Sequence, residues 1–436
     1  MHTLKYTLVP LLLSSACSGL QQPAVNVDIE PGSDVRSTDQ ADGERGPQSW
    51  APNFPSQADL AILLDVLDTP IVDSNTRDGN GDRLFPEAWL RKVQEAYEST
   101  DVGDALEREN SHDDWRLVSI RVSPCAPIGI TPDDNIDDWC WPAVRLVWQP
   151  VLENLRSAWG PMMDFYADDR AVHAIYPVQP RNLDGARIEG AWREEVAAHL
   201  ASGAPPELLS PRLIEGFKAV RDASAVAVLN GVANLRDPAI RADEYEEIDI
   251  RPELMNGPVT NARFKQSLQD FLGEFARWQG LDEMTSFSLP EGRNPSGSDI
   301  WVFVGFDGNE GFPELKDLTV IGRESGRELV NIGPDQTVAV GVEDEAVEIE
   351  IENGNYELSR SVIISGSDIG DLGPDMADPY SFLVPNTSCA SCHRLNELRF
   401  DFHSLSGFED RGITVSPRVT KDVARDMFWT RSKLRQ

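Results

Sequence analysis

Near its C-terminus the chain reads Cys389-Ala390-Ser391-Cys392-His393, and this run constrains the final part of the molecule more than any other feature. Two thiols three positions apart share one helical turn, where each can form a thioether with a vinyl group of a single porphyrin. The imidazole that follows directly is placed to ligate the iron. The segment must then supply apolar walls to a flat macrocycle, so it folds about a cofactor as well as about its own side chains. The spacing predicts one covalent haem c, with Cys389 and Cys392 as thioether anchors and His393 as proximal ligand.

Three simpler uses of the same residues compete with that reading. A redox dithiol belongs in a βαβ setting, and no such pattern surrounds 380–400. Half of a zinc site needs two more Cys or His nearby, and only His393 and His403 are close. A short-range disulfide is the third alternative. The remaining thiols also have uses. Of five cysteines, Cys17 ends an N-terminal apolar run, and Cys125 and Cys140 remain as a pair expected to form a structural disulfide.

The N-terminus carries Lys5, then an apolar stretch through Leu8, Val9, Leu11, Leu12 and Leu13, then Ser14-Ser15-Ala16-Cys17. A positive start, an apolar run too short to span a bilayer and small residues before a cut predict an export signal over 1–17. Small residues followed by Cys resemble the bacterial lipobox, which implies lipidation at Cys17 and a chain anchored to the membrane rather than spanning it. Leu13 stands one place earlier than the most frequent pattern has it. Ser18 replaces the Asp that retains lipoproteins at the inner membrane, which favours the outer one. The expected location is the periplasm or cell surface, where the Cys125–Cys140 bond would persist.

Seventy-three acidic against 39 basic residues give a net charge of −34, which repels nucleic acid and anionic headgroups and excludes both as partners. The acids are spread along the chain rather than gathered at the haem motif, a pattern that fits adaptation to a saline habitat.

The expected fold class is α+β with several domains. Residues 18–56 are rich in Gln, Pro, Gly, Asp and Ser and read as a disordered tether. Residues 57–290 read as a mixed helix and strand domain. Phe264, Leu268, Phe271, Leu272, Phe275 and Trp278 form one helical stripe ended by Gly280, and Leu213, Ile214, Phe217 and Val220 form another. Strands are expected over 116–122, 143–148 and 171–176, with Cys125 and Cys140 bracketing the loop between the first two. Residues 298–366 read as an antiparallel β unit, with strands at 300–306, 318–321, 338–342 and 347–351 and an Asn353-Gly354 hairpin. Residues 372–436 hold the haem module, closed by a helix over about 418–434 with Val419, Val423 and Met427 on one side.

Other candidates fall away. Asp78-Gly79-Asn80-Gly81-Asp82 begins like a calcium loop, but Arg83 and Trp89 occupy the places that need Gly and Glu, so a turn is expected. His112 reads as a turn residue, His173 as a half-buried strand residue and His199 as a solvated helix residue. No nucleophile elbow, phosphate loop or HExxH run is present.

The C-terminal 60 or so of 436 residues resemble the haem-attachment segment of mono-haem c-type cytochromes, on the strength of Cys389, Cys392 and His393. That resemblance implies attachment outside the cytoplasm and a small helical cytochrome c-like module. The stretch after the motif is shorter than in class I members, so the module is expected to lean on the β unit. For the sixth iron position His403, ten residues after His393, is the leading candidate, because ten residues can span roughly 30 Å and fold across the ring. Met376 and Met427 follow it, and then an open or water-bound site. Electron transfer with a redox partner protein is the leading functional class. A peroxidase-like or oxidase-like haem enzyme is the second, and an envelope binding or sensor protein with a structural haem is the third.

Overall fold

The computed structural model describes residues 50, 53–64, 71–98, 111–128, 139–153, 156–157, 160–161, 165–167, 171–179, 191–201, 208–288, 300–309, 311–315, 318–320, 323–325, 327–331 and 417–434. In chain order α1 (Gln57–Leu60) runs into β1 (Ala61–Leu63), followed by α2 (Glu87–Glu98), β2 (Trp115–Pro127) and β3 (Cys140–Glu153). Next come β4 (Arg156–Ser157), β5 (Gly160–Pro161), β6 (Phe165–Ala167) and β7 (Ala171–Pro177). The helices α3 (Ala191–Ala201), α4 (Pro211–Ala233), α5 (Pro252–Met255) and α6 (Pro258–Phe275) follow. Then come β8 (Glu283–Ser288), β9 (Ile300–Asn309), β10 (Phe312–Leu315), β11 (Leu318–Val320), β12 (Arg323–Ser325), β13 (Arg327–Asn331) and α7 (Pro417–Lys433).

The main sheet is open and antiparallel, in the order β1-β2-β3-β7-β8-β9-β10. β10 and β13 pair with successive stretches of β9, and β6 pairs with the far end of β3. Period-two patterning fixes which face is buried. Ile120, Leu146, Ala174, Met284 and Phe306 stand opposite one another across five strands, and all are 1% exposed or less. One residue further along, the row Arg121, Arg145, Ile175, Glu283 and Asp307 lies on the other face and is half-buried.

Helices cover the apolar face. α4 starts cleanly because the Ser210 hydroxyl accepts the Leu213 N–H at 3.2 Å and Pro211 occupies the first turn. Val228, Leu229 and Val232 of α4 join Phe264, Leu268, Phe271 and Leu272 of α6 in the same core as the sheet row. Each such side chain contributes about 1.5–3 kcal/mol on burial. The helices approach closely at Gly231, where a Cβ would stand 2.6 Å from the Phe275 ring. The expected α6 stripe overshoots by one turn: the helix ends at Phe275, Arg277 bonds back to the Gly273 carbonyl, and Trp278 lies in a short 3-10 turn.

Strands appear where expected over 116–122, 143–148, 171–176 and 300–306. The expected boundary between 57–290 and 298–366 falls between two strands that pair in one sheet. β8 and β9 pair from Glu283 with Asp307 to Ser288 with Val302. The expected segments at 338–342 and 347–351 and the Asn353-Gly354 hairpin lie outside the described residues. Within the span expected as a tether, Phe54 and Ser56 are buried and Trp50 donates to Asn230 at 2.9 Å, while 18–49 lie outside the described residues. The closing helix is present, and it docks on this domain.

Candidate functional site

Of the residues singled out by the sequence, Cys125, Cys140 and Met427 lie within the described part. Cys17, Met376, Cys389, Cys392, His393 and His403 lie outside it. Geometry can therefore be followed at the place where the chain beyond the haem motif returns to the sheet. α7 begins at Pro417, 24 residues after His393 (417 − 393).

Pro417 suits the first helical position, and Arg431 and Lys433 complement the carbonyl end of the helix dipole. Val423, Asp426 and Thr430 fall three and four residues apart, and each is fully buried. Val423 joins the main core, with Val419 and Met427 partly buried against it. Phe428 points outward and is 65% exposed. The expected apolar side of the helix is therefore real, but its centre is a carboxylate.

That carboxylate belongs to a four-residue ion cluster. Arg121 of β2 bonds to Asp426 and reaches Asp422 at 3.1 Å. Arg425 reaches Asp422 at 2.9 Å and Asp426 at 3.4 Å. Burial pushes the Asp426 carboxyl up to about 6; Arg121 and Arg425 pull it down, and the neighbouring Asp422 charge pushes it further up. Two cations and two anions leave the cluster neutral, and deleting one partner of such a buried set costs about 3–5 kcal/mol.

Beside the cluster lies the Cys125–Cys140 disulfide, with its Cα atoms 4.9 Å apart. It closes a loop of 15 residues between β2 and β3, worth about 3 kcal/mol in the chain-entropy model. Cys125 sits in a β-bulge, marked by the register shift between Ser123 and Ala126, and its carbonyl accepts a hydrogen bond from Arg425 at 3.3 Å. Both cysteines are fully buried in a small cluster with Ala225 of α4 and Trp429 of α7, and Leu434 packs against it. The guanidinium of Arg221 stands 5.3 Å over the Trp429 ring.

A second buried charge centre joins the N-terminal segment to the region after α4. Asp59 pairs with Arg236 and lies 3.3 Å from Arg251, which grips Glu253 through two bonds of 3.0 Å. The Tyr245 hydroxyl donates to Glu253 at 2.7 Å, and burial raises its phenol well above the ordinary range. Both guanidiniums lie over the Tyr245 ring, at 4.4 and 4.8 Å. These charges satisfy one another, so the centre is a clasp.

The remaining candidates resolve structurally. His112 lies 2.7 Å from the Phe85 carbonyl and stacks on the Phe85 ring. His173 and His199 are half-buried on β7 and α3. The Asp78 side chain accepts the N–H groups of Asn80 and Asp82 at 2.8 and 3.0 Å, which makes 78–82 a turn, as expected. Among the described residues no group of three or more His, Cys, Asp or Glu could hold a metal ion, and no helix is long and apolar enough to cross a membrane. Sequence reasoning missed the roles of Arg121, Arg425 and Asp426, while Trp429, expected beside the apolar side of the helix, is buried. The available signal was Asp422 and Asp426 four residues apart with Arg425 between them, an acidic ridge inside an otherwise apolar stripe.

Comparison with protein-family models, with curated proteins and with solved structures finds no match to this chain.

Proposed function

We propose that this chain is an exported, membrane-anchored c-type haem protein that passes electrons through one covalent haem to a redox partner protein. The observation that carries the reading is the run Cys389-Ala390-Ser391-Cys392-His393. The Cys125–Cys140 disulfide supports it, because such bonds persist in the oxidising compartments to which c-type attachment is confined. The apolar N-terminal run ending in Cys17 supplies the export signal and lipid anchor of the same reading.

When bound, the haem supplies one-electron chemistry. The chain's contribution is to hold it. Cys389 and Cys392 would hold it through thioethers and His393 would ligate its iron, with His403 the leading candidate for a second iron ligand ahead of Met376 and Met427. Ligation by two imidazoles would suit one-electron exchange. The net charge of −34 would draw a basic partner at low ionic strength.

Intact-mass analysis after expression with a periplasmic haem-maturation system should show one haem, absent from the Cys389→Ala, Cys392→Ala double variant. An unmodified wild-type mass would overturn the reading. A wild-type ferric spectrum that is high-spin, together with peroxide consumption, would move the protein to the haem-enzyme class.

A further inference from the structure

We infer that the Cys125–Cys140 disulfide and the C-terminal helix form a reciprocal lock: the bond holds the docking surface of α7 in shape, and docked α7 shields the bond from reductant.

The lock follows from what each part touches. The disulfide ties the β2 bulge to the first residue of β3 and so fixes where the Cys125 carbonyl stands. Arg425 donates to that carbonyl while also bridging Asp422 and Asp426, so the ion cluster and the disulfide share one residue. Trp429 lies directly in the disulfide's cluster, and Leu434, the residue after α7, packs against it. Both cysteines are 0% exposed, with α7 forming one wall of their enclosure and Ala225 of α4 another. A dithiol cannot attack a sulfur it cannot reach, so the enclosure must open first, and α7 is the wall assigned to that opening.

Linkage then works in both directions. Whatever stabilises docked α7 lowers the population in which the disulfide is open to attack. That shielding acts on the rate; at equilibrium, to the extent that docked α7 favours the disulfide over the dithiol, the disulfide favours docking by the same free energy. The exchange balances simply: the dithiol gives up two electrons and two protons and becomes a disulfide, while Cys125 and Cys140 become two thiols. Opening is local, because the pairing of β7, β8 and β9 involves neither cysteine.

One consequence rests on the haem reading. α7 is the described element downstream of His393, so release of α7 would leave the β13–β9 pairing as the nearest described attachment on the upstream side. The lock itself does not depend on that.

The test uses the full chain. Thiols released by a dithiol are trapped by alkylation, and the rate at Cys125 and Cys140 is followed by peptide mapping. Trp429→Ala should raise that rate about tenfold or more over wild type, since docking is weakened while the disulfide is intact. In the reverse arm, Cys125→Ala with Cys140→Ala should speed amide exchange across 417–434 about tenfold, while 258–275 keeps its protection. An equal reduction rate in Trp429→Ala and wild type overturns the proposal. If the double variant does not fold, the Trp429→Ala arm decides alone. Intact mass reports haem separately, so loss of the haem reading and loss of the lock give different results.

Discussion

Arg425 donates a hydrogen bond to the carbonyl oxygen of Cys125 at 3.3 Å, across a sequence separation of 300 residues. This contact and the Arg121–Asp426 pair sew the end of the described chain to the second strand of the sheet. The N-terminal segment meets the same seam, because Arg121 also donates to the Leu60 carbonyl at 3.1 Å. Residues before the sheet and after the haem motif therefore close on one place. The described elements on either side of the Cys389–His393 run both belong to this domain: upstream β13 is paired to β9, and downstream α7 buries Val423, Asp426 and Thr430.

Gly231→Ala should lower stability by about 1–3 kcal/mol, the usual cost of overpacking. The added methyl would stand 2.6 Å from the Phe275 ring and 3.0 Å from that of Phe271, so α4 and α6 must separate. Urea unfolding followed by tryptophan fluorescence measures it. An unchanged midpoint would mean that the rings rotate aside at no cost.

Arg251→Ala should be far worse than an average core substitution. It leaves Glu253 and Asp59 wholly buried, with Glu253 stripped of both guanidinium bonds. Loss of about 3–5 kcal/mol is expected. Adding Glu253→Met should recover part of that loss, because the stranded charge is then gone. A loss below about 1 kcal/mol in the single variant would show that water reaches the clasp.

Met427→Leu should leave the haem spectrum unchanged. Met427 is partly buried against the main core, where a leucine of similar volume fits. His403→Ala should turn the ferric iron high-spin while the haem stays attached, since a bis-imidazole site would lose one ligand. Optical spectra of the oxidised and reduced proteins separate the cases. A shift in Met427→Leu alone would reassign the axial position to that residue.

The sequence showed the parts that repeat with a local period. α4, α6 and the strands at β2, β3 and β7 carry apolar residues at helical or alternating spacing, and burial follows that spacing. β8 escaped notice because its inward positions include Ser286, whose hydroxyl donates to the Ala171 carbonyl at 3.2 Å. A polar residue in a core row hides the alternation, and the β unit after it then looked separate. Trp50 and Phe54 sit at the end of a polar stretch, too few to suggest packing, yet their rings lie 5.5 Å apart, tilted at 53°, against the domain. The pairing of Arg121 with Asp426 spans 305 residues, and no local pattern encodes so distant a partner.

Asp426 gives the seam a pH dependence opposite in sign to that of an ordinary salt-bridged carboxylate. Its carboxyl is pushed up to about 6 by burial, with Asp422 adding to the push and Arg121 and Arg425 opposing it. Arg221 of α4, paired to Asp222, stands over the Trp429 ring of α7, and Lys421, Arg431 and Lys433 are further charges on the helix itself. A group whose value is higher folded than unfolded binds its proton more tightly in the folded state. Its contribution is full below the unfolded value and is lost as pH rises through about 6. The unfolding free energy of wild type minus that of Asp426→Asn should therefore become more positive as pH falls from about 7 towards 4. Chemical unfolding of both proteins across that range tests it. A difference that shrinks on acidification would mean that the two arginines outweigh burial and hold Asp426 ionised throughout.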